Sequence, residues 1–500
     1  MHSAASQYDL LVIGGGINGA GIARDAAGRG LRVLLVEKDD LAGHTSSAST
    51  KLIHGGLRYL EFYHFGLVRK ALREREVLLD SAPHIMWPLR FVMPHDAHLR
   101  PAWMIRTGLF LYDHLARRRR LPGSRGIDLR SHVAGGPLQP RHVRGFVYSD
   151  GWVDDARLVV LNALDARERG ADVRTRMRCE RLEPVGGSWR ATLQPRAGAA
   201  ETVTARVVVN AAGPWAASFL AQATPVTASG ELRLVKGSHI IMRRLFDHDH
   251  AYIFQAPDQR IVFAIPYEQD FTLIGTTDVE HAGTPDVVAI SDTEIAYLCE
   301  QANRYFRRTI APSDVVATYA GVRPLLEDES ADARSVTRDY SLRWVTEPAP
   351  LLSVFGGKIT TYRALAEEAV ERIAALFPQA RCAWTAGAVL PGGDLPGGDF
   401  DAFLRDVDRR LPALPAALRR RVARAYGTRL DRALGGATRV AELGREVAPG
   451  LYERELEYLC EVEWARTAED VLWRRSKLGL HCDAGAPGRV DQWLSERERT

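Results

Sequence analysis

Gly14, Gly16 and Gly19 form a G-x-G-x-x-G run directly after the apolar stretch Tyr8 to Ile13. Glycines at that spacing serve phosphate binding. Gly14 permits a tight turn, Gly16 lets backbone amides approach a pyrophosphate, and Gly19 lets the following helix pack close to the strand. Asn18 lies inside the turn, and Glu37 follows Gly19 by 18 residues. A carboxylate there accepts from a ribose 2′-hydroxyl and disfavours a 2′-phosphate, and Lys38 stands beside it. A bare glycine turn would show the same three residues, so the motif depends on its setting.

That setting is a βαβ start. Tyr8 to Ile13 reads as a buried strand, Ile17 to about Arg29 as a helix ended by Gly30, and Leu31 to Val36 as a second strand. The hydroxyl-rich run Thr45, Ser46, Ser47, Ser49 with Lys51 can line a pyrophosphate or ribityl chain. Further on, Ala212 and Gly213 follow a valine strand and let backbone pass close to a cofactor. Gly357, Lys358 and Thr360 open another helix, whose positive end suits the partial negative charge of a reduced flavin. A cofactor reaching three distant segments is extended, which favours FAD over NAD. No second G-x-G-x-x-G follows a strand, so electrons leave by a route other than a bound nicotinamide.

The chain has 500 residues, enough for two or three domains, and a formal net charge of only +4. That balance argues against a dedicated nucleic-acid partner. The five scattered cysteines make no C-x-x-C or Cys/His cluster, so no metal site is expected and a reducing compartment is. The N-terminus lacks a secretory pattern, and no uncharged apolar run approaches membrane-spanning length. Strand-like runs crowd residues 234–275. After the Pro/Gly-rich stretch from Pro391 to Gly398, Phe400, Phe403, Leu404, Val407 and Leu411 take helical spacing. Thr467 to Asp470 reads as a helix cap. The expected fold is α/β, α+β overall. A discontinuous Rossmann-type FAD domain takes 1–80, 145–222 and 350–376, a β-rich substrate domain takes 81–144 and 223–349, and an all-helical cap domain takes 390–500.

Several longer motifs carry a resemblance. The run from Thr45 to Glu61, Val235-Lys-Gly-Ser-His239, Ile274-Gly-Thr-Thr-Asp278, Gly321-Val-Arg-Pro-Leu325, Thr337-Arg-Asp339 and Phe355 to Arg363 resemble the FAD-dependent glycerol-3-phosphate dehydrogenase family, in order and over nearly the whole chain. The resemblance implies oxidation of sn-glycerol 3-phosphate to dihydroxyacetone phosphate, with hydride passing from C2 to flavin N5. It also implies electron delivery to ubiquinone, peripheral attachment to the cytoplasmic face of the inner membrane, and a homodimer. A soluble glycerol-3-phosphate oxidase using oxygen shares the same site chemistry and stays open as the alternative.

A dianionic phosphate needs fixed cationic donors, and arginine offers bidentate geometry. Arg58, Arg323, Arg338 and Lys358 lie inside the family-like motifs, with Tyr59 and Thr361 adding hydroxyls. Loss of hydride from C2 requires a base for the hydroxyl proton, and histidine is the natural candidate. His54 and His239 both qualify, and the sequence leaves open which of them acts and which anchors a loop. Arg323 and Arg58 supply charge beside the base. The apolar run Trp103 to Leu115, edged by Arg100, Arg106 and Arg117 to Arg120, fits either an ordinary core-facing helix or one lying on an anionic lipid surface. The resemblance favours the second.

Overall fold

The computed structural model describes residues 7–96, 100–226, 232–326 and 339–498. Arg338 lies outside the described residues. Two sheets carry the chain up to residue 356. In the first the order is Tyr340–Val345, Leu351–Gly356, Glu201–Asn210, Tyr8–Ile13, Val33–Val36 and Asp172–Arg174. Tyr8–Ile13 runs parallel to both neighbours, with Leu11 opposite Val208 on one side and Leu34 on the other. Its last four residues are buried. A strand apolar on both faces needs cover on both, as parallel sheets require. The helices Ile17–Gly28, Asp155–Glu168 and Tyr362–Ala374 supply one cover and the hairpin Met177–Val185/Ser188–Pro195 belongs to the other core.

The second sheet runs Val279–Glu280, Leu232–Arg243, Phe271–Gly275, Ile261–Tyr267, Ala251–Gln255, Met86–His95, Arg144–Val153 and Leu52–Ile53, with Val315–Leu326 paired to Leu232–Arg243. Alternation sorts its faces. Ile240 and Met242 pack with Leu298 and Ala302 of the helix Asp292–Asn303, while Ile241 faces the core built by Val68, Leu72, Leu109 and Tyr112. Sheet membership departs from the expected segments at three places, one of them Leu52–Ile53, expected with the cofactor unit but paired to Arg144–Val153. Arg144–Val153, expected with the cofactor unit, pairs with Met86–His95, and Tyr340–Val345, expected with the substrate unit, edges the first sheet. Apolar alternation reports which face a strand buries, not which sheet it joins.

The C-terminal segment is helical as its spacing predicts. Phe400, Phe403 and Val407 of Phe400–Arg410 are buried. It is not all-helical, since Glu446–Ala448 and Leu451–Tyr452 form a small hairpin. The cap at Thr467 is reciprocal: the Asp470 amide donates to Thr467 Oγ1 (3.3 Å) and the Thr467 amide to Asp470 Oδ2 (3.0 Å). The segment shares one core with the first sheet and is pinned to it by the buried Arg157–Glu463 pair.

Glu268 lies on the turn between Ile261–Tyr267 and Phe271–Gly275, within the field of Lys477 and Arg421 of this segment. Burial and Asp154 raise its carboxyl to about 7, with Lys477, Lys51 and Arg421 opposing. A carboxyl raised in the folded state is stable there protonated. Its ionisation costs stability progressively as pH climbs from the ordinary 4.5 through about 7. Glu268→Gln should therefore raise the melting temperature by about 1–3 °C well above pH 7. Below pH 4.5 it should leave the melting temperature unchanged, and equal shifts at both ends in thermal scans would contradict the assignment.

Candidate active site

A cavity of about 790 Å³ lies between the two sheets, at the C-terminal ends of Tyr8–Ile13 and Glu201–Asn210. One end is the glycine turn. The Gly14 amide donates to Val36 O (2.9 Å), and a side chain at Gly19 would meet Gly14 O at 1.9 Å. The helix Ile17–Gly28 thus starts hard against the strand end, and the Ile17 amide donates to Ser46 Oγ (3.0 Å). Asn18 Nδ2 donates to Gly356 O (3.2 Å), while its buried Oδ1 meets no hydrogen-bond partner among the described residues. Glu37 accepts from the amides of Gly15 (2.6 Å) and Asp39 (2.9 Å). A carboxylate has further lone pairs to offer beyond two amides.

The wall beyond Glu37 was not foreseen as a unit. Lys38 Nζ sits 2.5 Å from Asp286 and 3.9 Å over the Trp215 ring, and Trp215 Nε1 donates to Asp286 (3.1 Å). Trp215 follows the Ala212–Gly213 pair by two residues, whereas Asp286 comes from a loop without periodicity. Much of the hydroxyl run holds its own loop. Thr45 Oγ1 donates to Val322 O (2.7 Å), Ser47 Oγ to His44 O (3.2 Å) and Ser49 Oγ to Asp155 (2.7 Å). Lys51 points away from the cavity. Its buried Nζ donates to Asp155 Oδ1 (2.7 Å) and Ser47 O (3.1 Å). A buried ammonium needs such a carboxylate, and Asp155 lies 104 residues away in sequence.

The same cavity gathers polar and cationic groups. His54, Tyr59, Arg323, Lys358 and Thr360 all line the cavity. The His54 amide donates to Thr360 Oγ1 (3.2 Å). Lys358 Nζ lies 3.8 Å over the Tyr59 ring, and Arg323 pairs with Asp278 and donates to Thr276 Oγ1 (3.0 Å). The Gly55 amide behind His54 donates to Tyr112 Oη (2.8 Å), which donates to Asp150 (2.8 Å), itself paired with Arg75 (2.7 Å). This buried relay sets the His54 loop.

The cavity therefore brings together Gly14, Gly16, Asn18, Glu37, Lys38, Thr45, Ser46, Ser49, His54, Tyr59, Ala212, Gly213, Arg323, Gly357, Lys358 and Thr360. Gly19, Ser47, Lys51, Arg58, His239 and Thr361 are not among its lining. Gly19 is helix-packing backbone, and Thr361 is buried beneath the helix start. Arg58 stands near Phe62, its guanidinium carbon 5.9 Å from the ring centre. His239 is fully buried, stacked 4.7 Å from Tyr319, with Nε2 2.9 Å from Thr50 Oγ1. Burial, then Arg323 and Lys51, hold its pKa well below the ordinary 6.5, so the ring is neutral.

The residues fit an extended dinucleotide. The volume suits a large organic ligand, the helix start offers amides to a pyrophosphate, and Asn18 Oδ1 waits buried at the far glycine turn. A family model described as FAD dependent oxidoreductase matches residues 9–363. A glycerol-3-phosphate dehydrogenase of Pseudomonas aeruginosa is 54% identical over 98% of this chain and 95% of its own. A D-erythritol 1-phosphate dehydrogenase of Brucella abortus is 48% identical over 97% of each. The crystal structure of the glycerol-3-phosphate dehydrogenase from Bacillus halodurans complexed with FAD matches at a TM-score of 0.78 and 28% identity, covering 99% of this chain and 91% of that one. The cofactor is FAD, and the chain belongs to the FAD-dependent oxidoreductases, in the family of the glycerol-3-phosphate dehydrogenases.

Proposed function

We propose that the protein oxidises sn-glycerol 3-phosphate to dihydroxyacetone phosphate. The observation that carries this reading is one cavity lined both by the dinucleotide turn and by His54, Tyr59, Arg323 and Lys358. Bound FAD supplies the acceptor for the hydride leaving C2. Arg323 and Lys358 hold the phosphate dianion and the charge that develops on the substrate, with Arg58 and Arg338 as further cations of the same motifs. His54 Nδ1 or Nε2 takes the C2 hydroxyl proton. His239 acts behind it as a positioning residue through Thr50, because the structure buries it outside the cavity.

Adding sn-glycerol 3-phosphate without oxygen should bleach the flavin, and flavin that stays oxidised would overturn the reading. The Brucella relative gives a specific reason to run D-erythritol 1-phosphate beside it. The three-carbon substrate is expected to have the higher kcat/KM, and the reverse order would reassign the substrate. His54→Ala should slow anaerobic flavin reduction by about 100-fold or more, the usual scale of general-base loss. Ubiquinone is the acceptor on this reading, and faster reoxidation by oxygen than by a quinone would favour the oxidase alternative.

A lipid surface is the proposed docking partner. Among the described residues no helix is long and apolar enough to cross a membrane. The helix Ala102–His114 buries Leu109 and Tyr112 yet exposes Trp103 (68%) and Phe110 (53%), and Tyr63 (79%) stands on the adjoining turn. Arg100 and Arg106 edge this face. The run at 118–120 contributes less than its sequence promised. Arg118 pairs with Asp113 (3.5 Å), and Arg119 and Arg120 pair with Asp80 (3.0 Å each). Trp103→Ser with Phe110→Ser should lower binding to anionic liposomes at least about 10-fold, since roughly 200 Å² of apolar surface at ~25 cal/mol/Å² sets an upper bound of about 5 kcal/mol on the loss. Neutralising Arg118 to Arg120 should matter less, and the opposite ranking in a sedimentation assay would move the docking face.

A further inference from the structure

The C-terminal segment reaches back to the cofactor loop at one element, the π-helical turn Asp470–Arg475. Such turns are rare and concentrate at functional sites. Arg475 is fully buried and grips Asp40 with both terminal nitrogens, Nη1 2.7 Å from Oδ2 and Nη2 2.8 Å from Oδ1. Arg474 Nε reaches the same Oδ2 at 2.6 Å. Asp40, 3% exposed, follows Glu37 by three residues. The other side of this loop is held as well. The Arg176 amide donates to Asp39 O (2.8 Å) and the Met177 amide to Glu37 O (2.8 Å), while the Arg176 guanidinium donates to Asp470 Oδ2 (2.6 Å). Residues 37–40 are thus held directly by two arginines of the turn and also through Arg176, which the same turn binds.

Buried ion pairs are poor sources of net stability, since desolvation offsets their attraction, but bidentate arginine–carboxylate contacts fix direction. The direction fixed here is that of Glu37. Its carboxylate accepts from Gly15 inside the glycine turn, so a displaced loop would move ribose acceptor and phosphate cradle together. We propose that the turn Asp470–Arg475 is a cofactor clamp, in which Arg475 and Arg474 act through Asp40 as positioning residues for the ADP half of FAD. The C-terminal unit then governs retention of the cofactor, not its chemistry.

The test measures FAD release from the full-length holoenzyme, as the rise of flavin fluorescence after dilution. Arg475→Met and the isosteric Asp40→Asn should each speed release by about 10-fold or more, which is about 1.4 kcal/mol. With FAD in excess, kcat should stay within about threefold, because the clamp is remote from the reacting carbon. Arg475→Lys should recover part of the loss. The control is Arg421→Met, which breaks an equally close buried pair with Glu455 (2.6 Å) inside the C-terminal unit, away from residues 37–40. It should lower the melting temperature without hastening release. Wild-type release from Asp40→Asn would overturn the proposal, and so would equal acceleration by Arg421→Met. Asp40→Asn, which preserves shape, decides the matter should Arg475→Met fail to fold.

Discussion

Gly19→Ala should yield a folded protein that purifies without its flavin. The added Cβ would stand 1.9 Å from Gly14 O, 3.1 Å from Gly14 C and 3.4 Å from the Ala211 side chain. The first two atoms are backbone at the end of the central strand, so no rotamer change relieves the contact. The helix Ile17–Gly28 must slide outward, carrying the Ile17 amide and Asn18 away from the cofactor. Overpacking of this kind costs about 1–3 kcal/mol of stability, which a chain of this size tolerates. The same displacement removes the amides that face the pyrophosphate, and FAD content per polypeptide should fall at least about 10-fold, a loss of ~1.4 kcal/mol or more in cofactor binding. Gly108→Ala is the matched control, because its Cβ would meet nothing within 4 Å. It should keep full flavin absorbance. A fully yellow Gly19→Ala protein with an unchanged circular-dichroism spectrum would show that helix and strand are not in contact as described.

The glycine turn was legible in sequence because everything it needs is local: a buried strand, a helix start and an acidic residue within one βαβ unit. The fate of the two conspicuous lysines was not. Lys51 and Lys358 both stand in polar, motif-like runs, yet Lys358 lines the cavity over Tyr59 while Lys51 is buried against Asp155. Lys358 follows two glycines at a helix start and Lys51 ends a hydroxyl-rich run, but what buries Lys51 is a carboxylate 104 residues downstream. His54 and His239 divide on the same ground. The strand Leu232–Arg243 carries His239 between two partners, Phe271–Gly275 and Val315–Leu326, and pairing of that kind is long-range. The relay Gly55–Tyr112–Asp150–Arg75 joins four segments and left no periodic trace. Local patterns thus mark the dinucleotide turn, and tertiary pairing selects which charged groups reach the cavity.

Arg323→Met should reduce kcat/KM for sn-glycerol 3-phosphate by about 100- to 1,000-fold while FAD stays bound, the scale of losing one preorganised donor to developing charge. The guanidinium lines the cavity and is aimed by Asp278 and Thr276 Oγ1. Gly237 leaves it room, since a Cβ there would meet the guanidinium at 2.3 Å. Arg323→Lys should recover only part of the activity, because a point charge on a flexible stem cannot keep contact with Asp278 and substrate in one plane. The variant also removes the Arg323–Asp278 ion pair, and losing one member of a partly buried pair destabilises the fold. Arg323→Met with Asp278→Asn removes that burden, so the double variant should regain melting temperature and remain inactive. Activity that returned along with stability would make Arg323 a structural residue. The neighbouring histidine supplies a second check. Arg323 is one of the charges that depress His239, behind burial. Removing it shifts the His239 pKa upward from well below 6.5, but burial remains and the ring stays neutral. The residual activity should therefore show no new acidic limb from His239 in its pH profile. Such a limb in Arg323→Met, absent from Arg323→Met/His239→Gln, would mean that water reaches His239 and that it shares the proton with His54.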